Sequence, residues 1–229
     1  MIAQKILVQK GICSRREAER LLKAGLVLVN GQRARPGEKL TEKDVVTLHP
    51  SAQSQMAQKI TVAVYKPRGV TCTNANTEGK NVFDVFPEYK NLNCVGRLDK
   101  ESEGLLLLSN DGLITKKVTG NTHETEKEYE VITEQKVFPG KLKPMEEGMR
   151  LSDGMTLPAK IQIIDNQTFH ITIHEGRNHQ IRRMCGQLNL TILSLKRVRV
   201  GNIFVGKMRP GDSRVLTGQV LEKFRNGEK

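Results

Sequence analysis

An acidic and a basic side chain stand two positions apart just before a short apolar run, in the sequence G-R-L-D at residues 96–99. A loop held by a rigid sheet could present the Asp99 carboxylate beside the Arg97 guanidinium, an acid next to a cation that stacks on bases. The same pattern is also typical of a turn with a solvated ion pair. Because spacing alone favours the turn, a chemical role for Asp99 needs further support.

Two predicted strands would position this loop. Residues 105–108 are an unbroken run of leucine between a glycine and the sequence Asn-Asp-Gly, which predicts a fully buried strand that ends in a tight turn. Residues 127–131 alternate as a second strand and place Tyr129 on one face. A tyrosine in such a strand lies more often in a core than in a catalytic site.

A helix with neighbouring arginines is predicted near residue 181. Apolar residues at positions 181, 184, 185 and 188 share one helical face. Arg182 and Arg183 are about 100° apart on this helix, so only one can face a cleft, and its planar guanidinium could hold a carboxylate by two hydrogen bonds. A zinc site formed by His174 and His179 is excluded, because five positions place two side chains roughly 140° apart around a helix.

Other segments complete an α+β pattern. A capping box at Ser14 and Glu17 predicts a helix over residues 15–24, and an Asn-Gly turn at residues 30–31 predicts a hairpin. Strands are predicted at residues 44–48 and 60–65, a hairpin at residues 159–174, and a basic strand at residues 193–200. The basic helix face and the basic strand could be solvated surfaces or could contact phosphate.

The composition favours a polyanionic partner. The 229 residues carry 37 basic and 25 acidic side chains, a net charge of +12, with an excess of +5 in residues 1–50 and +8 in residues 181–229. Four scattered cysteines indicate a reduced, cytoplasmic protein. No apolar run approaches the ~20 residues of a membrane span, so we expect a soluble protein with no membrane partner.

The run G-R-L-D-K-E-S-E-G-L-L at residues 96–106 resembles the signature of the RsuA-like pseudouridine synthases, which act on ribosomal RNA. The resemblance implies that Asp99 is the catalytic residue. The family often has threonine where this chain has Ser102, and the hydroxyl is retained.

Three further segments are similar to motifs of the same family, in the same order. They are K-P-R-G at residues 66–69, K-E-Y at residues 127–129 and G-R-N-H-Q-I-R at residues 176–182. The resemblance implies that Tyr129 packs on the target base and that Arg182 pairs with Asp99. Leu195, in an apolar position after the last motif, is expected by analogy to form the floor of the pocket.

Residues 11–31 resemble the alpha-L RNA-binding motif that is also found in a small-subunit ribosomal protein. The family usually has several more residues before the first helix of this motif. The first helix, predicted here over residues 15–24, is therefore expected to be short.

The resemblance thus implies an α+β chain with an alpha-L domain at residues 1–50, a linker at 51–59 and a pseudouridine synthase domain at 60–229, built on a mixed, mostly antiparallel sheet. The implied reaction converts a specific uridine of ribosomal RNA to pseudouridine, without cofactor or metal, in a monomeric enzyme. The Arg-Arg-Met sequence at residues 182–184 favours large-subunit RNA.

The predicted site residues fall into three groups. The catalytic residues are Asp99, Tyr129 and Arg182; the substrate-binding residues are Arg97, Lys66, Leu195, Arg183, Arg177 and His179; and the RNA-binding residues are Ser14, Arg15, Arg16, Arg20, Lys23, Lys196, Arg197 and Arg199. Asp99 would act either as a nucleophile at C1′ or as a base at C2′. The alternatives are a non-catalytic ribosome-associated RNA-binding protein, a metal-dependent nuclease, and the same chemistry on small-subunit or transfer RNA.

Overall fold

The computed structural model describes residues 2–10, 12–35, 37–41, 43–55, 59–72, 79–120 and 125–226, apart from the side chains of Arg16 and of residues 53–55 and 225–226. These residues form a small N-terminal unit and a larger unit built on one sheet. No described helix has the length and apolar character needed to cross a membrane.

The N-terminal unit packs helices against a three-stranded sheet. The Ser14 hydroxyl accepts a hydrogen bond from the Glu17 N–H (3.2 Å), so the predicted capping residue starts the predicted helix. The hairpin turn is also confirmed, since Asn30 and Gly31 both have positive φ. The elements are α1 Ala3–Gln9, α2 Arg15–Lys23, β1 Val27–Val29, β2 Gln32–Arg33, β3 Val46–Leu48 and α3 Pro50–Gln55, with strand order β2-β1-β3.

Two of these helices differ from the sequence expectation. Helix α1 was not predicted, because its seven residues are too few to show a clear period. Helix α3 occupies the first part of the predicted linker at 51–59, and Ala52 is fully buried in the N-terminal core. Its small polar residues gave no helical pattern, and packing against that core decides its structure.

The larger unit contains eleven strands and five α-helices among the described residues. The strands are β4 Thr61–Lys66, β5 Asn93–Val95, β6 Glu103–Ser109, β7 Lys127–Thr133, β8 Arg150–Leu151, β9 Gly154–Met155, β10 Lys160–Ile163, β11 Thr168–Ile173, β12 Ile192–Val200, β13 Ile203–Phe204 and β14 Ser213–Val215. The helices are α4 Val82–Val85, α5 Gly112–Thr119, α6 Pro139–Glu147, α7 Gln180–Gln187 and α8 Gly218–Asn226.

Nine of these strands form one sheet. Its order is β10-β11-β7-β12-β6-β4-β14, with β5 beside β6 and β13 beside β12, while β8 and β9 form a separate hairpin. All pairs in the sheet are antiparallel except β6 with β12, which confirms the predicted mixed, mostly antiparallel sheet.

Strand β6 lies at the centre and is buried on both faces. Leu106 and Leu108 pack into one core, and Leu105 and Leu107 pack into the core on the other face. Burial of each leucine stabilises the fold by about 1.5–3 kcal/mol, which explains the uninterrupted apolar run. The loop that carries Asp99 leads directly into this strand and is therefore anchored to a fully buried part of the sheet.

Gly104 permits the parallel pairing of β6 with β12. Its φ is +99°, and a Cβ atom there would lie 2.4 Å from the carbonyl oxygen of Arg197. Real Cβ atoms do not approach backbone oxygen so closely, so every other residue type would force the strands apart. This glycine therefore sets the distance between the Asp99 loop and β12.

Candidate active site

Asp99 lies in the loop between β5 and β6, and its side chain is about one-third exposed. The loop is closed by a hydrogen bond from the Ser102 N–H to the Asp99 carbonyl (3.0 Å). The K-P-R-G segment also supports this loop, because the Gly69 N–H donates a hydrogen bond to the Lys100 carbonyl (2.7 Å). The carboxylate is thus partly exposed on a loop that two backbone hydrogen bonds support.

Two side chains from the start of α7 approach this carboxylate. His179 Nε2 lies 3.5 Å from one oxygen of Asp99, and Arg182 Nε lies 3.8 Å from the other. Arg182 Nη2 donates to the Glu101 carbonyl (2.9 Å) and to the Ser102 hydroxyl (3.1 Å). The expected pair of hydrogen bonds from Arg182 to Asp99 is therefore not formed; the guanidinium also supports the loop on which Asp99 stands.

Tyr129 and Leu195 form the floor of the cleft. Both are buried and lie on neighbouring strands, β7 and β12. The Arg197 guanidinium carbon lies 6.0 Å from the centre of the Tyr129 ring, because the two residues are directly opposite each other on β12 and β7. Side chains of the cleft that were predicted from the sequence are Asp99, Arg97, Tyr129, Arg177, His179, Arg182 and Leu195.

Lys66 does not reach this cleft as the sequence analysis expected. Its side chain is fully buried, and its Nζ donates to the carbonyl oxygens of Pro67 (2.8 Å) and Val70 (2.7 Å). Burial lowers the pKa of this ammonium group. Lys66 therefore holds the K-P-R-G turn in shape and is not accessible to a substrate.

Arg177 and Arg183 both donate hydrogen bonds to the β8–β9 hairpin. Arg183 makes two hydrogen bonds to Asp153 (2.9 and 3.0 Å) and lowers the pKa of that carboxyl to about 2. Arg177 donates to Glu175 (2.9 Å) and to the Met155 carbonyl. Arg182 is thus the arginine of the adjacent pair that faces Asp99, and Arg183 points to an acidic partner instead of standing free for phosphate.

The basic strand β12 does not present three cations to RNA, which corrects the expectation for Lys196, Arg197 and Arg199. Arg197 is only 2% exposed and donates to the Leu105 carbonyl (2.7 Å). The other two point to the opposite face and join a set of charges that we call the charged ladder. Its members are Glu126, Glu128, Glu130, Lys160, His170, His174, Lys196 and Arg199, with ion pairs of 2.7 to 3.7 Å.

In the N-terminal unit the predicted RNA-binding residues differ in their availability. Ser14 is used as the cap of α2, and Arg20 forms an ion pair with Glu17 (2.6 Å). Arg15 and Lys23 are exposed. The side chain of Arg16 lies outside the described residues.

A pair of thiols beside the Asp99 loop was not predicted. The sulfur of Cys72 accepts a hydrogen bond from the Leu98 N–H (3.4 Å), one residue before Asp99. A hydrogen bond from the Cys94 thiol lowers the pKa of Cys72. Cysteines 22 positions apart carry no spacing signal, so only the fold could show that they meet.

Comparison with known proteins decides the family. Residues 60–187, more than half of the chain, match the model of the family described as RNA pseudouridylate synthase. The chain belongs to this family. Residues 3–46 match the S4 domain, so both resemblances noted in the sequence are confirmed.

Several relatives of this synthase cover most of its length. It is 37% identical to "Ribosomal large subunit pseudouridine synthase B" of Vibrio cholerae over 90% of this chain and 68% of that protein, and 34% identical to the Bacillus subtilis protein of the same name over 97% and 94%. It is 33% identical to "Dual-specificity RNA pseudouridine synthase RluF" of Escherichia coli, over 95% and 76%. A crystal structure of a pseudouridylate synthase superposes with a TM-score of 0.72 at 26% identity, covering 96% of this chain and 98% of the other.

Proposed function

We propose that this synthase isomerises specific uridines of large-subunit ribosomal RNA to pseudouridine. The observation that carries the proposal is the convergence of Asp99, Tyr129 and Arg182 on one cleft, from three separate segments of the chain. The names of the relatives from Vibrio cholerae and Bacillus subtilis support the large subunit as the source of the RNA. A purely RNA-binding protein would have no need for this convergence.

Asp99 is the group that acts on the ribose. The reaction breaks the bond between C1′ and N1 of the base and rejoins the ribose to C5. Asp99 either attacks C1′ as a nucleophile or removes the proton at C2′, and both routes need an ionised carboxylate. Arg182 and His179, at 3.8 and 3.5 Å, stand where they can favour that charge and orient its oxygens.

The remaining residues of the cleft handle the base. The target uridine must leave its stack to reach Asp99, which costs a few kcal/mol. Arg97 is exposed at the mouth of the cleft, where its guanidinium can take the place of the base in the RNA. Tyr129 stacks on the freed uracil above Leu195, so that the base rotates without leaving the pocket.

The S4 domain supplies additional affinity for ribosomal RNA through exposed cations such as Arg15 and Lys23. In this proposal the enzyme acts as a monomer in the cytoplasm, where ribosomal subunits are assembled. The proposed second domain is residues 60–229. The proposed first domain is extended from residue 50 to residue 55, because Ala52 of α3 packs in the N-terminal core.

Tritium release tests the activity directly. The enzyme is incubated with ribosomal RNA labelled with 5-³H-uridine, because isomerisation replaces the hydrogen at C5. Release by the wild-type enzyme, and none by Asp99→Asn, is expected. RNA binding without release would favour the non-catalytic alternative. Pseudouridine mapping in a deletion strain, complemented by the wild-type gene, then identifies the uridine and shows whether small-subunit or transfer RNA is modified instead.

A further inference from the structure

A second cavity adjoins the cleft of Asp99. Its volume is about 430 Å³, and it lies between the start of β7, the Gly96–Arg97 turn, the end of α5 and residues 175–177. Arg97, Tyr129, Gly176 and Arg177 line both cavities. The ribose phosphates of a uridine whose base stacks on Tyr129 would therefore lie close to this second cavity.

The second cavity is strongly positive. Arg97, Lys127 and Arg197 line it, and none of the three has a carboxylate partner within the ion-pair distance among the described residues. The fourth cation, Arg177, is neutralised by Glu175 at 2.9 Å. The last titratable side chain on the wall is His174, which lies 3.7 Å from Glu126 of the charged ladder.

Two of these cations are incompletely satisfied. Lys127 Nζ donates to the Thr125 carbonyl (3.2 Å), and burial lowers its pKa to about 8, with a smaller contribution from Arg197. Arg197 is 2% exposed, and its Nη2 atom makes no hydrogen bond within the part of the chain that the structure describes. Burying an unpaired cation is costly, so such a pair is expected where an anion completes the site.

We propose that this cavity binds the phosphate group that neighbours the target uridine, with Lys127 as its principal ligand and Arg197 beneath it. The inference rests on the proposed function and extends it. Phosphate is the anionic group of RNA, and the one next to the flipped nucleotide is within reach of a cavity that shares Tyr129 with the cleft. The same phosphate would hold the ribose in place over Asp99 during rotation of the base.

The first experiment uses wild-type enzyme and inorganic phosphate alone. The pKa of Lys127 is measured by NMR from its ε-methylene signal, in phosphate and in chloride at equal ionic strength. We expect the pKa in phosphate to be higher by about one unit or more, because an anion at the site favours the ammonium form. An equal pKa in both salts would overturn the proposal, whatever the outcome of the tritium assay.

The second experiment uses a target RNA fragment in which single phosphates are replaced by neutral methylphosphonates. One replacement next to the target uridine should weaken binding to wild-type enzyme by about tenfold, as expected for a charge-assisted hydrogen bond. In Lys127→Met the same replacement should have no further effect. If it costs this variant as much as wild type, Lys127 does not contact that phosphate.

Two variants serve as controls. Lys116→Met removes one exposed positive charge from α5 and should retain the tenfold sensitivity to the replaced phosphate. Lys127→Arg keeps the charge and should also retain it, which covers the case in which Lys127→Met fails to fold. Loss of sensitivity in Lys116→Met would show a general charge effect and overturn the assignment. Pseudouridine formation is measured separately for each variant and tests the proposed function independently of phosphate binding.

Discussion

The guanidinium of Arg182 is shared between the carboxylate of Asp99 and the loop that carries it. Nε approaches Asp99 to 3.8 Å, while Nη2 donates to the Glu101 carbonyl at 2.9 Å and to the Ser102 hydroxyl at 3.1 Å. The Arg182 side chain thus places a positive charge beside the Asp99 carboxylate and also holds the loop that carries this carboxylate.

Arg182→Lys should lower the single-turnover rate by well over tenfold with only a modest loss of RNA affinity. An ammonium group cannot reach Asp99, Glu101 and Ser102 at once as the planar guanidinium does. Rates and filter-binding affinities are compared with wild type. Normal turnover of Arg182→Lys would show that the guanidinium geometry has no part in catalysis.

Arg183→Ala should leave both turnover and RNA affinity nearly unchanged. The sequence alone suggested a phosphate contact, but the paired hydrogen bonds to Asp153 occupy this guanidinium. A melting temperature lowered by a few degrees at most is expected, since both partners are on the surface. A large loss of affinity with normal melting would show that Arg183 leaves Asp153 to contact RNA.

Asp99→Asn should abolish isomerisation and preserve RNA affinity, because the amide keeps the shape of the side chain and loses its charge. Asp165→Asn is the matched control, since Asp165 lies in an exposed turn between β10 and β11. Tritium release measures the activity of both. Appreciable turnover by Asp99→Asn, after exclusion of deamidation by mass spectrometry, would remove Asp99 from the chemistry.

A chain that begins at residue 59 should bind RNA more weakly and with a shallower dependence on salt. The deletion removes a net charge of +5, and it includes α3 because Ala52 packs in the N-terminal core. Turnover of short RNA fragments should persist. An unchanged slope of log affinity against log salt would show that the S4 domain makes no phosphate contacts.

The charged ladder should make stability depend on pH in the acid range. Hydrogen bonding to Lys160, with a smaller contribution from Arg199, lowers the pKa of Glu126 from 4.5 to about 2. A depressed carboxyl pKa stabilises the fold fully above the unfolded value and loses that effect as the pH falls through the folded value. The free energy of unfolding should therefore fall between pH 4.5 and 2, and less steeply in Glu126→Gln. If the free energy of unfolding changes equally steeply with pH in wild type and in Glu126→Gln, Glu126 does not have this role.

Local patterns predicted β6, α2 and α7, because an unbroken apolar run, a capping box and apolar residues at helical spacing each lie within a few residues. The meeting of Asp99 with Tyr129 and Arg182 was predicted only by family resemblance, since it joins segments far apart in the chain. The prediction that the basic strand β12 presents three cations to RNA was wrong, and the reason is physical. A bulge between Arg197 and Arg199 directs Arg197 toward the second cavity and Arg199 toward the charged ladder, whereas simple alternation would place both on one face.

The charged ladder also bears on how the enzyme approaches its substrate. Three glutamates on that face oppose Lys160, Lys196 and Arg199, so the face is close to neutral. In the second cavity, by contrast, three cations have no carboxylate partner among the described residues, namely Arg97, Lys127 and Arg197. This difference leaves an excess of positive charge on the side of the second cavity, next to the catalytic cleft. An RNA molecule within about a Debye length, roughly 8 Å at physiological salt, would exert a torque on the enzyme and turn its catalytic side toward itself before contact.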